Sequence, residues 1–238
     1  MNSPATNTPK QSGHSVLSVA LVLAAVLFAP RANHAQQLQQ GVSVQLAVTS
    51  NAVPMPEADN EDAWIVAVIA DGSLYLGIDP VSPSQLADKM KRRPRRRDQK
   101  LYIKADARAP FADVRRVFAA AHEVAFDTPV LLTSQKEPVA TGVVVPPTGL
   151  EVTVGPYSHA ATIVVQVNAA QRSPTFQVND QEIPAAALPD TLRRLLQSPS
   201  DTPVLVKTHG PVSFASVVQV VDTCRSIGSK VAFITPML

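Results

Sequence analysis

Apolar and polar positions alternate early in the chain. Val42, Val44, Leu46 and Val48 are separated by polar or small residues, which is the period of a strand. Residues 49–62 are polar and proline-bearing and read as a loop. Trp64 to Ile69 is a continuous apolar run, Asp71-Gly72 is a hairpin turn signal, and Leu74 to Ile78 supplies the returning strand. Ser82 or Ser84 caps a helix that runs to about Lys91. Leu101 to Lys104 is a further strand. Phe111, Val114, Val117, Phe118, Ala121 and Ala125 then recur at the spacing of a helical stripe, with Pro110 as the first helical residue. Val130 to Thr133 ends the series as a strand.

The second half repeats this order. Thr162 to Val167 and Thr175 to Val178 read as strands, Ala185 to Gln197 as a helix, Val204 to Lys207 as a strand, Phe214 to Ile227 as a helix and Val231 to Thr235 as a strand. With one constant offset Lys104 falls on Lys207, Phe111 on Phe214, Val114 on Val217, Val117 on Val220, Ala121 on Cys224 and Leu131 on Ile234. Shared order and register predict a duplicated unit. The expected class is α+β: an N-terminal hydrophobic helix, then two small two-layer domains, each a mixed sheet with two helices on one face in the order ββαβαβ. The boundaries fall at 1–35 for the leading segment, 36–137 for the first domain, 138–149 for a Pro-rich, semi-rigid linker and 150–238 for the second domain.

The leading segment sets the compartment. Val16 to Ala29 is an apolar run, broken only by Ser18, and is stopped by Pro30 and Arg31. At helical rise it spans roughly 21 Å, short of the ~30 Å hydrocarbon core, which suits the apolar core of a signal peptide. Cleavage after Ala35 or Ala32 would put Asn33 or Pro30 where a small residue is wanted, which suits an uncleaved anchor. Both alternatives carry the rest of the chain out of the cytoplasm.

Composition narrows the chemistry. Aromatic residues make up 5% of the chain, so Val and Ala must build the core. A formal net charge of +2 is too small to argue for nucleic acid. Cys224 stands alone, the histidines are scattered, and no metal-ligand spacing, Gly-rich phosphate loop or nucleophile elbow is present. No catalytic residue, metal or cofactor is expected.

Several segments carry a family resemblance. Gln40-Gly41-Val42-Ser43-Val44-Gln45-Leu46 follows the apolar run, Leu76-Gly77-Ile78-Asp79-Pro80-Val81 follows the first strand, and Ile103-Lys104-Ala105-Asp106 ends a strand. In these the chain resembles the ExbD/TolR proteins, small subunits of proton-driven inner-membrane motors. The second half is similar more weakly, with Lys207-Thr208-His209 where Lys-Ala-Asp stood. The resemblance implies a single-pass inner-membrane protein with most of its chain periplasmic. It also implies an ExbB/TolQ-like channel subunit and a TonB/TolA-like protein as partners, and pairing of the folded domains, here as an intrachain pseudo-dimer. One departure bears on mechanism. The family carries an aspartate just before an apolar run of the type Val19-Ala20-Leu21-Val22-Leu23, and this chain has Ser18 there. Serine has no carboxylate to titrate, so the proton-relay position is lost.

The strongest charge feature is Lys91, Arg92, Arg93, Arg95, Arg96 and Arg97. It reads either as a solvated loop or as a contact for an anionic partner such as cell wall or anionic lipid. Lys104 and Asp106 mark the family's strand end, and Asp106 is suited to cap a turn or to pair with Arg108. Two functions follow: an accessory subunit of an envelope transport motor, or a secreted or tethered module that binds envelope polymer.

Overall fold

A computed structural model describes residues 42–135, 145–156, 163–170, 173–196 and 203–235. The apolar run and Ser18 lie outside the described residues. Among the described residues no helix is long and apolar enough to cross a membrane.

The chain forms β1 (Val48–Thr49), β2 (Val53–Pro54), a 3-10 turn (Pro56–Asp59), β3 (Trp64–Val68), β4 (Leu74–Leu76), β5 (Asp79–Val81), α1 (Pro83–Arg92), β6 (Leu101–Ala105), α2 (Phe111–Glu123) and β7 (Val130–Gln135). It continues with β8 (Thr148–Glu151), β9 (Thr153–Gly155), β10 (Val164–Asn168), β11 (Thr175–Val178), β12 (Gln181–Ile183), a 3-10 turn (Ala185–Ala187), α3 (Leu188–Leu195), β13 (Val204–His209), α4 (Phe214–Ser226) and β14 (Val231–Ile234). The first sheet runs β2-β8-β7-β6-β3-β4-β5, with β1 also on β7, and the second runs β12-β11-β10-β13-β14-β9. In each half three parallel strands sit beside a two-step antiparallel hairpin, so the class is α+β with mixed sheets.

The alternation along β6 explains the layers. Leu101, Ile103 and Ala105 face the helices in a large apolar cluster with Leu86, Val114 and Val117. Tyr102 faces the other way with Ile65, Val130 and Leu132, under Met55 and Ala58. The segment expected to be a plain loop, 49–62, therefore contains β2 and a 3-10 turn that covers the back of the first sheet. Most of its polar residues look outward, while Thr49, Met55 and Ala58 are buried.

The N-terminal alternation behaves differently from its sequence pattern. Only Val48–Thr49 is strand. The buried phase shifts between Leu46 and Ala47: Ala47 and Thr49 are buried, and Val48 is 62% exposed. Residues 45–47 bond to the backbone just beyond β6 and near the end of β7 rather than to one continuous ladder. Ala107 N donates to Gln45 O and Ser134 N to Ala47 O.

Two local expectations shift. Pro110 is the N-cap of α2, not its first helical residue. The final strands also carry a one-residue deletion. Ile103 pairs with Leu131 while Val206 pairs with Phe233, so the counterpart of Leu131 is Phe233, not Ile234. The change falls in the loop after the helices, because both helices end alike. Phe126 N donates to Ala121 O and Ala125 N to His122 O; Ser229 N donates to Cys224 O and Gly228 N to Arg225 O. Each end needs a left-handed residue, supplied by Gly228 at φ 77° and by Ala125 at φ 59°. A Cβ is unfavourable in that conformation. Ala125→Gly is therefore expected to raise the unfolding free energy by about 0.5–1 kcal/mol, read from the urea midpoint. An unchanged or lower midpoint would refute this.

Residues Thr148 and Gly149, assigned above to the linker, lie in β8 of the first sheet, antiparallel to β7. β9 then joins the second sheet, parallel to β14. One apolar cluster contains residues of both halves, including Phe111, Phe118, Phe214 and Phe233. Where the halves meet, Pro110 bridges Ser213, its own counterpart in the repeat. Phe111 N donates to Val212 O at 2.9 Å and Phe214 N to Ala109 O at 2.8 Å. Equivalent residues pairing with each other are the mark of a local two-fold. The two halves thus pack on each other around a pseudo-dyad, within one chain.

Candidate functional site

Lys104 and Asp106 end β6, and alternation sends them to different surroundings. Lys104 lies on the Tyr102 face and is 2% exposed. Burial lowers its pKa, opposed by the nearby Asp59 carboxylate; burial raises the pKa of Asp59, opposed by Lys104. Asp59 closes the 3-10 turn over Lys104, so Lys104 serves the back face of the first sheet. Its counterpart Lys207 is partly exposed, because no such turn covers the second sheet among the described residues.

Asp106 gathers the chain around itself. Arg108 donates from Nε to Oδ1 at 2.9 Å and from Nη2 to Oδ2 at 3.0 Å. Arg108 N donates to Oδ1 and Gln45 N to Oδ2, each at 3.0 Å. The Arg108 guanidinium, then these backbone donors, hold the carboxyl well below the usual carboxylate range, although burial acts the other way. Asp106 thereby ties Gln45 to the end of β6. Two segments that carried the family resemblance separately meet here. His209, at the equivalent point of the second half, is exposed and makes no such junction among the described residues.

The basic segment stays largely exposed, but four of its six cations find partners within the chain. Lys91 pairs with Glu123. Arg93 lies over the Trp64 ring, 4.7 Å from its centroid, and donates to Asp62 O and Ala63 O. Arg95 lies over Phe126 at 4.1 Å and donates to Val124 O and Ala125 O, the carbonyls at the end of α2, where cations are favoured. Arg96 pairs with Asp62 at 2.7 Å. Only Arg92 and Arg97 of the six have no partner among the described residues. The charge run is thus mostly a clamp that fastens the α1–β6 loop over Trp64 and the α2 C-terminus. Trp64 Nε1 donates to Gln99 Oε1, and the ring stacks at a tilt on Phe126.

Cys224 is fully buried, and burial pushes its thiol up to about 12. It acts as a small apolar side chain of α4. Among the described residues no cluster of His, Cys, Asp or Glu has the arrangement of a metal site. Sequence reasoning missed Asp222 of α4, whose carboxylate accepts from Ser50 N at 3.1 Å and Asn51 N at 2.8 Å. No local signal marks it, because its partners are distant in sequence.

A family model described as Biopolymer transport protein ExbD/TolR matches residues 13–137 and again residues 130–236. No curated protein matches the chain.

Proposed function

Because the chain belongs to the ExbD/TolR family, whose model covers it twice, we propose that it is an accessory subunit of an envelope transport or maintenance motor linked to the proton-motive force. Members of this family are inner-membrane-anchored, non-enzymatic transport proteins. The double match carries the reading, since the family's unit extends through both halves. On this reading Val16 to Ala29 anchors the chain, the folded halves stand in the periplasm, and an ExbB/TolQ-like channel and a TonB/TolA-like protein are its partners. The second half supplies the copy that a second subunit would otherwise bring. The shared apolar cluster and the Pro110–Ser213 bridge support this internal pairing.

Ser18 stands where the family's aspartate would carry the proton, so this subunit leaves proton transfer to another chain. Lys91, Arg93, Arg95 and Arg96 engage partners within the chain, which favours the motor reading over a loop dedicated to an external polymer.

The test is recovery of the tagged full chain from detergent-solubilised membranes. The expected result is an integral-membrane protein that brings down a multi-helix channel subunit. A chain that is released by alkaline carbonate and recovers no channel subunit would overturn the reading.

A further inference from the structure

The two sheets differ on the face turned away from their helices. In the first, Met55 and Ala58 cover Ile65, Tyr102, Val130 and Leu132. In the second, the equivalent face is polar along β10, β11 and β12. Val165, Val167, Phe176, Val178, Ile183 and Val206 point into the large apolar cluster, so alternation turns their neighbours the other way.

The strand register places four of these neighbours in one row across the sheet. Glu182 on β12 pairs with Gln177 on β11, Gln177 with Gln166 on β10, and Gln166 with Lys207 on β13. Thr175, Asn168 and His209 form a second row beside it. Gln166 Nε2 donates to Asn168 Oδ1 at 2.7 Å and ties the two rows together. None of these side chains is buried. On the other side of the first row the face is closed, since Leu205 and Ala232 are 0% exposed.

The ends of the first row carry opposite charges. Strands lie ~4.8 Å apart, so three steps hold Glu182 and Lys207 about 14 Å from each other, too far to pair within one chain. Neither has an ion pair or side-chain hydrogen bond among the described residues. The row is nevertheless complementary to itself. A two-fold axis parallel to the strands, midway between β10 and β11 in the plane of contact, sets Glu182 over Lys207 of a second copy. It also sets Gln177 over Gln166 of that copy, and each contact occurs twice. Sheets stacked in this way keep their strands nearly aligned, as face-to-face sheets do. Each carboxamide offers both a donor and an acceptor, so Gln177 and Gln166 satisfy each other across the contact.

We propose that this face of the second sheet is a homodimer interface, through which two copies of the chain stack by Glu182, Gln177, Gln166 and Lys207. It is distinct from the internal pairing of the halves, which runs through Pro110, Ser213 and the shared apolar cluster. The patch is only four strands by two rows, so the dimer lies at the weak end of specific interfaces and forms reversibly. Salt weakens it, because its ion pairs sit at the edges of the patch. The dimer does not rest on the motor reading, and its experiment contains no channel subunit, so either can fail alone.

The experiment is sedimentation equilibrium of the full chain in density-matched detergent, over about a hundredfold range of concentration suited to a weak interface. Amide shifts are followed by NMR on the same samples. The expected result is a reversible monomer–dimer equilibrium, with concentration-dependent shifts at Gln166, Gln177, Glu182 and Lys207. Glu182→Lys and Lys207→Glu should each associate at least about tenfold more weakly, since both ion pairs become like-charge pairs. An equimolar mixture of the two variants should recover the wild-type affinity to within about threefold, because the mixed dimer again sets a lysine against a glutamate at both ends. Glu182 is exposed, so Glu182→Lys keeps the fold and tests the interface by itself. Three results would overturn the proposal: a chain that stays monomeric throughout, variants that associate as tightly as the wild type, or a mixture that associates no more tightly than its components.

Discussion

Phe233→Ala is expected to lower the unfolding free energy of the whole folded part by about 3–5 kcal/mol. Phe233 belongs to β14 of the second half and is 2% exposed. Its ring lies 4.9 Å from Phe118 and 5.5 Å from Phe111, both on α2 of the first half. Truncation therefore removes a second-half side chain and opens a cavity against a first-half helix, where neither backbone can collapse independently. The measurement is urea unfolding of the full chain in detergent, followed by circular dichroism and by Trp64 fluorescence, since Trp64 lies in the first half. The two signals should move together to lower urea. If Trp64 fluorescence kept its original midpoint while the ellipticity fell, the halves would not share one cooperative core.

Asp106→Ala is expected to cost about 2–3 kcal/mol, because Arg108 and Gln45 N lose their common acceptor. Arg108 is largely exposed and regains water, which keeps the loss below that of a fully buried ion pair. The pH dependence follows from the direction of the shift. The folded carboxyl titrates below its unfolded value near pH 4, so its contribution is complete above about pH 4 and is lost as pH falls toward the folded value. Between pH 6 and pH 2.5 the wild type should lose more of its urea midpoint than Asp106→Asn. Parallel losses in the two proteins would show that Asp106 does not act as an ionised latch. Because the Asp106 carboxylate accepts from Gln45 N, that amide should also exchange faster in Asp106→Ala.

Local chemistry explains what the sequence reading recovered. Helix α4 was recovered to within a residue from its apolar pattern and repeat register; Ser213, whose Oγ accepts from Ser216 N, caps its start. The β3–β4 hairpin followed from Asp71-Gly72, with Gly72 at φ 89°. The short strands β5 and β12 were not read as strands. Each is three residues long with one buried apolar side chain, Val81 or Ile183, too little to show in the periodicity. Arg93 and Arg95 looked like part of a free charge run, because a charge pattern does not say that an aromatic ring waits beneath it.

The sequence by itself determined the element order, the duplication signal, the family motifs and the loss of a carboxylate at Ser18. All depend on residues close together in the chain or on a constant offset between its halves. Only the tertiary structure decided where Val48 faces, that Lys104 is buried and Lys207 is not, and that Asp106 binds Gln45. Those outcomes depend on pairings across tens of residues, whose partners are selected by packing of the whole core rather than by any local preference.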